Sequence, residues 1–407
     1  MQLHDALCLT LLSRIKIDLY LSRMIATKYD YVFAGFGLSG MSLLYELSKD
    51  NYFTQKEVLI IERDAKKEND RTWSFWTDVD HDFLHLAKKS WRKGVFFALD
   101  GSSIPLDMHA YSYYTIEGID FYNFILNHCK QFKNITWIQD SVNSISDEGV
   151  VVTSHNEFLG ELVFRSYFDK AYFSSQKSNY FLWQHFYGYV IKTPQASFDE
   201  HEFTLMDYRF SDKKRTNFFY VLPYANDEAL VEFTEFSAKL YTTEEYKQKL
   251  EDYIRNVLKI SDYTIIHKEY NAIPMSDFQL DMRVSKHVLN IGSLAGYVKP
   301  SSGYAFTRTL IRNKRLAQGI LQKDSNIAKK LDSSKVNKAF DNAILYLMQY
   351  EKVHGGLVFA SLFKKLNADF VFKFLDEKSS PLELFRIMLS SPKKWEFIKY
   401  FLKRQGS

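Results

Sequence analysis

The residues of this chain best suited to chemistry begin with glycines. Gly35-Phe36-Gly37-Leu38-Ser39-Gly40 spells G-x-G-x-x-G, behind an apolar run from Tyr31 to Ala34. A helical stretch follows, then the apolar Val58-Leu59-Ile60-Ile61, closed by Glu62. Gly35 permits a tight turn, Gly37 lets backbone approach a pyrophosphate, and Gly40 allows close packing of helix on strand. A helix starting at Leu38 offers free N–H groups, those of Leu38 and Ser39 among them, and the positive end of its dipole. Glu62, with Arg63 beside it, stands about 20 residues on, where a carboxylate binds the adenosine ribose. Strand, turn, helix, strand and acid in this order describe a dinucleotide site; a purely structural βαβ unit is the other reading.

A second glycine-rich stretch runs from Gly292 to Tyr304, between the apolar Val288-Leu289-Asn290-Ile291 and a helical pattern near Ala305 to Gln322. It would bring further N–H groups to the middle or ring end of the same ligand. Gly292, Ser293, Gly296, Lys299, Ser302 and Gly303 are its candidate contacts, and a structural loop would read the same way. Arg71-Thr72-Trp73-Ser74-Phe75-Trp76 suits either a ligand wall or core packing. No metal centre is expected. His185 has no second His or Cys at ligand spacing, and Cys8 and Cys129 make neither a disulfide framework nor a ligand pair, which fits a reducing compartment.

Positioning these residues takes an α/β fold of two lobes. The pattern predicts an N-terminal extension over 1–28, a nucleotide lobe over 29–180, an antiparallel-sheet lobe over 181–270, a return to the nucleotide lobe over 271–325 and a helical region over 326–407. The first lobe has helices at Leu38 to Asp50 and Asp120 to Lys130, strands from Trp91 to Leu106 about Gly101, and a strand meander from Ser141 to Phe168. The second has strands at Trp183–Ile191, Leu205–Tyr208, Asn217–Pro223 and Ala229–Phe236, then an amphipathic helix from Tyr246 to Leu258. Residues 1–28 read as an over-long start or a loose surface helix, with Met24 a sensible beginning. Their apolar patch is too short and too charged to span a bilayer and lacks the leading positive charge of a signal peptide. The tail from Pro392 to Arg404 mixes Trp395, Phe397, Ile398, Tyr400, Phe401 and Leu402 with basic residues, as would a membrane-interface helix or a helix capping the core.

The net charge of +4 is mild and no basic block with a recognition fold occurs, so nucleic-acid binding is excluded. The abundance of Phe (34) and Tyr (27) fits either biased codon usage or a long apolar ligand channel.

In their shared order these pieces resemble the lycopene β-cyclase family, the FAD-dependent carotenoid cyclases of bacteria and plants. The similarity runs from Tyr29 to Tyr400. It rests on the glycine turn with Glu62, Arg71 to Trp76, Gln184-His185-Phe186, Leu205-Met206-Asp207, Leu222-Pro223, Val231-Glu232-Phe233-Thr234, Ile273-Pro274-Met275 and Lys299 to Tyr304. The resemblance implies a Rossmann-type FAD-binding domain, a substrate lobe on an antiparallel sheet and C-terminal helices. It implies reduced FAD, with NADPH as reductant, and lycopene or a related long polyene as substrate. It also implies that Glu232 matches a carboxylate the family needs; the second acid of the plant pair is Phe233 here. Asn271-Ala272 stands where a glycine usually precedes Ile273, Ala295 replaces a loop glycine, and Ser293 stands where broader flavoprotein families put an aspartate.

Closing a lycopene end group to a β-ring moves no electrons overall. A proton adds to the terminal double bond, the neighbouring double bond attacks the cation, and another proton leaves. Glu232 is the candidate acid, since a carboxyl in an apolar pocket stays protonated near neutral pH; a surface or lysine-paired sheet carboxylate is the plain alternative, and the reduced flavin that the resemblance implies is open either as proton donor or as electrostatic stabiliser of the cation. Trp73, Phe75, Trp76 and Tyr304 are candidate lining residues, because aromatic faces attract cations. Two other functions use the same features: an FAD-dependent hydroxylase or prenyl reductase, and a non-catalytic carotenoid-binding protein. A water-insoluble substrate and no spanning helix lead to the expectation of a cytoplasmic protein held peripherally on a membrane surface.

Overall fold

The computed structural model describes residues 27–404, apart from 168–171, 174–177, 213–214, 279, 351 and 393, with side chains described as far as 400. The expectations for residues 1–26, for the Phe168 end of the meander and for the last side chains of the tail lie outside the described residues. The strands run β1 (Thr27–Ala34), β2 (Val58–Glu62), β3 (Thr72–Thr77), β4 (Lys89–Trp91), β5 (Lys93–Phe97), β6 (Ser103–Asp107), β7 (Ser112–Glu117), β8 (Ile135–Gln139) and β9 (Val142–Ile145). They continue with β10 (Val150–Thr153), β11 (Glu157–Arg165), β12 (Phe181–Lys192), β13 (Glu202–Asp207), β14 (Thr216–Ala225), β15 (Glu228–Ser237), β16 (Thr264–Ser276) and β17 (Val288–Asn290). The main helices are α1 (Leu38–Leu47), α2 (Gly118–Cys129), α3 (Thr243–Asn256), α4 (Phe306–Leu321), α5 (Lys335–Gln349), α6 (Gly355–Lys365), α7 (Ala368–Leu375), α8 (Pro381–Ser390) and α9 (Lys394–Arg404).

The first sheet has the order β8-β2-β1-β11-β10-β9, with β17 beside β11. Its centre is parallel: β1 pairs with β2 and β11, β2 with β8, and β11 with β17. Parallel strands are covered on both faces, which is why Val58–Glu62 is buried throughout. The turn from β1 into α1 depends on its glycines. Gly35 has φ +90°, and a Cβ there would lie 2.7 Å from the Tyr167 amide nitrogen; a Cβ on Gly40 would lie 2.9 Å from the Gly35 carbonyl oxygen.

The second sheet, β16-β12-β15-β14-β13-β5-β6, is antiparallel except where β13 meets β5. Side chains alternate between its faces. One face carries Tyr187, Tyr189, Phe219, Val231 and Phe233 and is covered by α3 through Tyr246, Leu250 and Tyr253. Phe219 stacks on Tyr253 at 3.8 Å. The opposite face carries Gln184, Phe186, Gly188, Tyr220, Leu230, Glu232 and Glu269, and a cavity lies against it. A third, small sheet has the order β3-β7-β4.

Two expected boundaries differ. The β5–β6 hairpin, read with the nucleotide lobe, extends the second sheet, because Glu202–Asp207 pairs with Lys93–Phe97. Strand β16 runs unbroken through residue 270, so the return to the nucleotide lobe begins only beyond Ser276. Helix α1 also stops at Leu47, ahead of Asp50, whose side chain instead accepts from the Tyr52 amide to start a 3₁₀ turn. Helices α5 to α7 share one apolar core with this sheet and with Trp76.

Candidate active site

The cavity, about 410 Å³, lies between the two glycine loops and the second sheet. Helix α1 opens onto it at Gly37, Leu38 and Ser39. Gly37 is the N-cap and supplies no side-chain cap, and a Cβ built on it meets nothing within 4 Å. The free N–H groups and dipole of α1 are therefore left to a ligand. Arg63 borders the same end of the cavity. Glu62 does not border it: its carboxylate accepts from the Phe36 amide at 2.6 Å and the Asp64 amide at 3.1 Å, with the Lys66 ammonium 3.6 Å away. Gly35 and Gly40 shape the turn from behind.

The second loop presents Gly292, Ser293, Tyr297, Val298, Gly303 and Tyr304 to the cavity. Gly292, Gly296 and Gly303 all have positive φ, between 65° and 73°. Helix α4 begins here with Ala305 as N-cap and again no side-chain cap. Lys299, Ser302 and Gly296 are not on the cavity wall. The Lys299 ammonium is buried and sits 2.9 Å from Asp341 and 3.4 Å from Glu377, so it fastens the loop to the C-terminal helices. Arg308 joins Glu377 as well. Ser302 is buried with its hydroxyl unpartnered, and Gly296 is the left-handed residue that ends the 3₁₀ turn.

Among the aromatic candidates, Trp73 and Tyr304 border the cavity; Phe75 and Trp76 do not. Phe75 stacks on Phe306 at 4.2 Å within the nucleotide-lobe core. Trp76 stacks on Phe372 at 4.8 Å and donates its indole N–H to Asp376 at 2.7 Å. Both positions are packing rather than wall.

Glu232 faces the cavity from β15, its Oε1 accepting from the Thr234 hydroxyl at 3.0 Å. Burial, and then the charge of Glu269, push its carboxyl well above the ordinary carboxylate range. Glu269 on β16 is also raised by burial, partly offset by the nearby Thr72 amide and hydroxyl and by Glu232. The register brings the two together: Gly188 on β12 is paired with Glu232 on one side and Glu269 on the other. Tyr220 continues the row beyond Glu232. The Tyr304 hydroxyl reaches those of Tyr220 at 3.1 Å and Tyr113 at 3.5 Å. Phe233, one residue along β15, faces α3. A carboxylate there would point away from the cavity.

Sequence reasoning missed Glu269, Gly188, Tyr113, Tyr220 and Gln184. Only register across three strands shows that Glu269 meets Glu232. Gln184 carried a trace, standing in a stretch already singled out. Its buried Oε1 has no hydrogen-bond partner and lies where a Cβ on Gly303 would fall, 1.5 Å away. Two uncapped helix N-termini, an open glycine and this orphaned amide oxygen together fit a dinucleotide whose far end carries a polar ring. Among the described residues no group of His, Cys, Asp and Glu is arranged to hold a metal, and no helix is long and apolar enough to cross a membrane.

The fold is shared with a reductase-like protein and with a flavin-dependent halogenase. A geranylgeranyl bacteriochlorophyll reductase-like protein from Thermoplasma acidophilum superposes with TM-score 0.61 at 15% identity, covering 92% of this chain and 99% of that one. A flavin-dependent brominase superposes with TM-score 0.57 at 12% identity, over 93% of this chain and 99% of its own. Within that architecture the sequence narrows the choice. The family model described as "Lycopene cyclase protein" matches residues 30–396, and the chain belongs to that family. The lycopene beta cyclase of Synechococcus elongatus is 26% identical over 307 residues, 72% of each chain.

Proposed function

We propose that this protein is an FAD-dependent lycopene β-cyclase that closes the ψ-end groups of lycopene, or a similar long polyene, to β-rings without net redox change. The observation that carries this reading is the Glu232 carboxyl, held protonated by burial in a cavity shared with the dinucleotide turn. The N–H groups at Gly37 to Ser39 and Arg63 would hold the FAD phosphates, and the loop from Gly292 to Tyr304, with Gln184, would hold its ring end. When bound in reduced form, with NADPH as the reductant, FAD would supply electron density that favours the developing cation. Glu232 gives its proton to the terminal double bond. Tyr113, Tyr220, Tyr304 and Trp73 turn aromatic surface toward the resulting tertiary cation and keep water from it. The neighbouring double bond then closes the ring, and loss of a ring proton sets the β-double bond.

Lycopene incubated anaerobically in D2O with the reduced holoenzyme should give a product that carries ring deuterium and is otherwise isomeric with lycopene. Glu232→Gln should keep FAD and lose at least about 100-fold in rate, the low end of general-acid contributions. A product heavier by oxygen or by added hydrogen, with stoichiometric NADPH consumption, would replace this reading with the oxidoreductase one.

The reading also calls for lipid access. Helix α8 turns Leu382, Phe385 and Leu389 to solvent, spaced for one helix face, with Arg386 exposed beside them. Trp395 is exposed on α9, whereas Phe397 and Tyr400 are buried against the core. The face suited to a bilayer is thus chiefly that of α8, just ahead of the tail expected to serve.

A further inference from the structure

We propose that Glu269 is the base that completes the reaction and that Glu232 and Glu269 work as one carboxyl pair, exchanging a proton across Gly188. The proposal rests on the cyclase reading above. Alternate strands of a sheet lie about 10 Å apart, so residues on β15 and β16 meet only if the strand between them leaves room. Gly188 does: a Cβ there would stand 3.3 Å from Glu269 Cγ and 3.4 Å from Glu232 Cβ. Both carboxyl groups border the cavity. Glu269 lies beside the Thr72 amide and hydroxyl and beside Glu232.

The surroundings separate the two roles. Among the described residues no lysine or arginine pairs with either carboxylate, and of the two cavity arginines Arg71 is engaged by Asp70 at 2.6 Å. Tyr113, Tyr220, Tyr224 and Tyr304 stand around the pair with phenols that burial keeps neutral. Glu117 adds a negative charge toward Glu269 but is itself joined to Lys88 at 2.8 Å. Two carboxyl groups this close with no cation between them do not both ionise at neutral pH, so one proton remains. The Thr72 amide and hydroxyl beside Glu269 favour its charged form, so Glu232 keeps the proton and is the acid, and Glu269 is the ionised partner and is the base.

The balance closes. The Glu232 proton forms a C–H bond with the terminal alkene carbon, using its π pair. The neighbouring π pair forms the ring C–C bond. A ring C–H bond breaks, its electron pair becomes the ring double bond, and the proton goes to the Glu269 carboxylate. Transfer from Glu269 back to Glu232, with exchange against solvent protons once the product has left, restores the starting state, with no electron gained or lost.

The test is a pH titration of the holoenzyme carrying side-chain ¹³C-labelled glutamate, read by infrared difference spectra and paired with rate–pH profiles for wild type, Glu269→Gln and Glu269→Asp. Glu269→Gln should retain FAD, lose at least about 100-fold in rate, and move the disappearance of the protonated-glutamate band to lower pH by a factor of about ten or more in proton concentration as the neighbouring charge is removed. Glu269→Asp should recover part of the rate. A Glu269→Gln protein with the wild-type rate and profile overturns the base role. A band that stays in place overturns the shared proton. A wild type that forms no rings overturns the cyclase reading and the base role together, while the titration still decides the shared proton by itself.

Discussion

At Gly188 a single hydrogen atom in place of a side chain decides what two neighbouring strands can do together. Gly188→Ala is expected to keep the fold, since its Cβ contacts of 3.1 to 3.4 Å ask only for small shifts, yet to lower the cyclisation rate by prising the carboxyl groups apart. The same pair gives stability a pH dependence. Both carboxyls hold their protons more tightly in the folded protein than in the unfolded chain, so their contribution is fully present below the unfolded glutamate value and is lost as pH rises through the folded values. Above neutrality, Glu269→Gln should therefore melt higher than wild type, by about 1.4 kcal/mol for every tenfold by which folding tightens proton binding at Glu269, and the difference should vanish near pH ~4. A thermal melt series across pH reads this directly. Glu232 was legible in the sequence because it sits in a familiar run, Val231 to Thr234. Glu269 was not, because alternation on one strand says which face a residue takes but not which residue stands beside it two strands away.

Elements rather than single residues explain where the sequence misleads. Trp73, Phe75 and Trp76 share strand β3, yet only Trp73 borders the cavity, because the end of the strand near Trp76 is claimed by α7 and by Asp376. An aromatic run looks the same whether it faces ligand or core, and the covering helices come from about 300 positions later in the chain. Lys299 looks like a ligand contact for a similar reason: a lysine in a glycine loop suggests phosphate until its buried partners, Asp341 and Glu377, are known. Lys299→Met should cost about 3–5 kcal/mol in denaturant unfolding, the usual result of leaving buried charge unpaired. Combining it with Asp341→Leu should recover a large part. If the single variant unfolds like wild type, the fastening role is wrong. The glycine turn of α1, by contrast, was readable because its requirements are local: positive φ, missing Cβ contacts and an open helix end all belong to six consecutive residues.

At the scale of the whole molecule, the parallel nucleotide sheet and the antiparallel sheet were foreseeable from their strand patterns, whereas the β5–β6 hairpin joined the second sheet by a parallel pairing that no local pattern announces. The outer face of α8 matters here too. Leu382→Ser, Phe385→Ser and Leu389→Ser combined should leave the melting temperature unchanged, since these side chains are exposed, but move the protein from the pellet to the supernatant in sedimentation with anionic vesicles. Unaltered partitioning would remove α8 as the docking face. The Lys299 cluster bears in turn on how the protein is made. Synthesis delivers the chain from its N-terminus, so both glycine loops emerge before Asp341 and Glu377 exist. Until those carboxylates leave the ribosome, Lys299 has no counter-charge and the second loop has no anchor. Fastening of the second loop therefore belongs to the later part of biosynthesis, and any nascent chain halted short of α5 carries the glycine turn without either ion pair that holds Lys299.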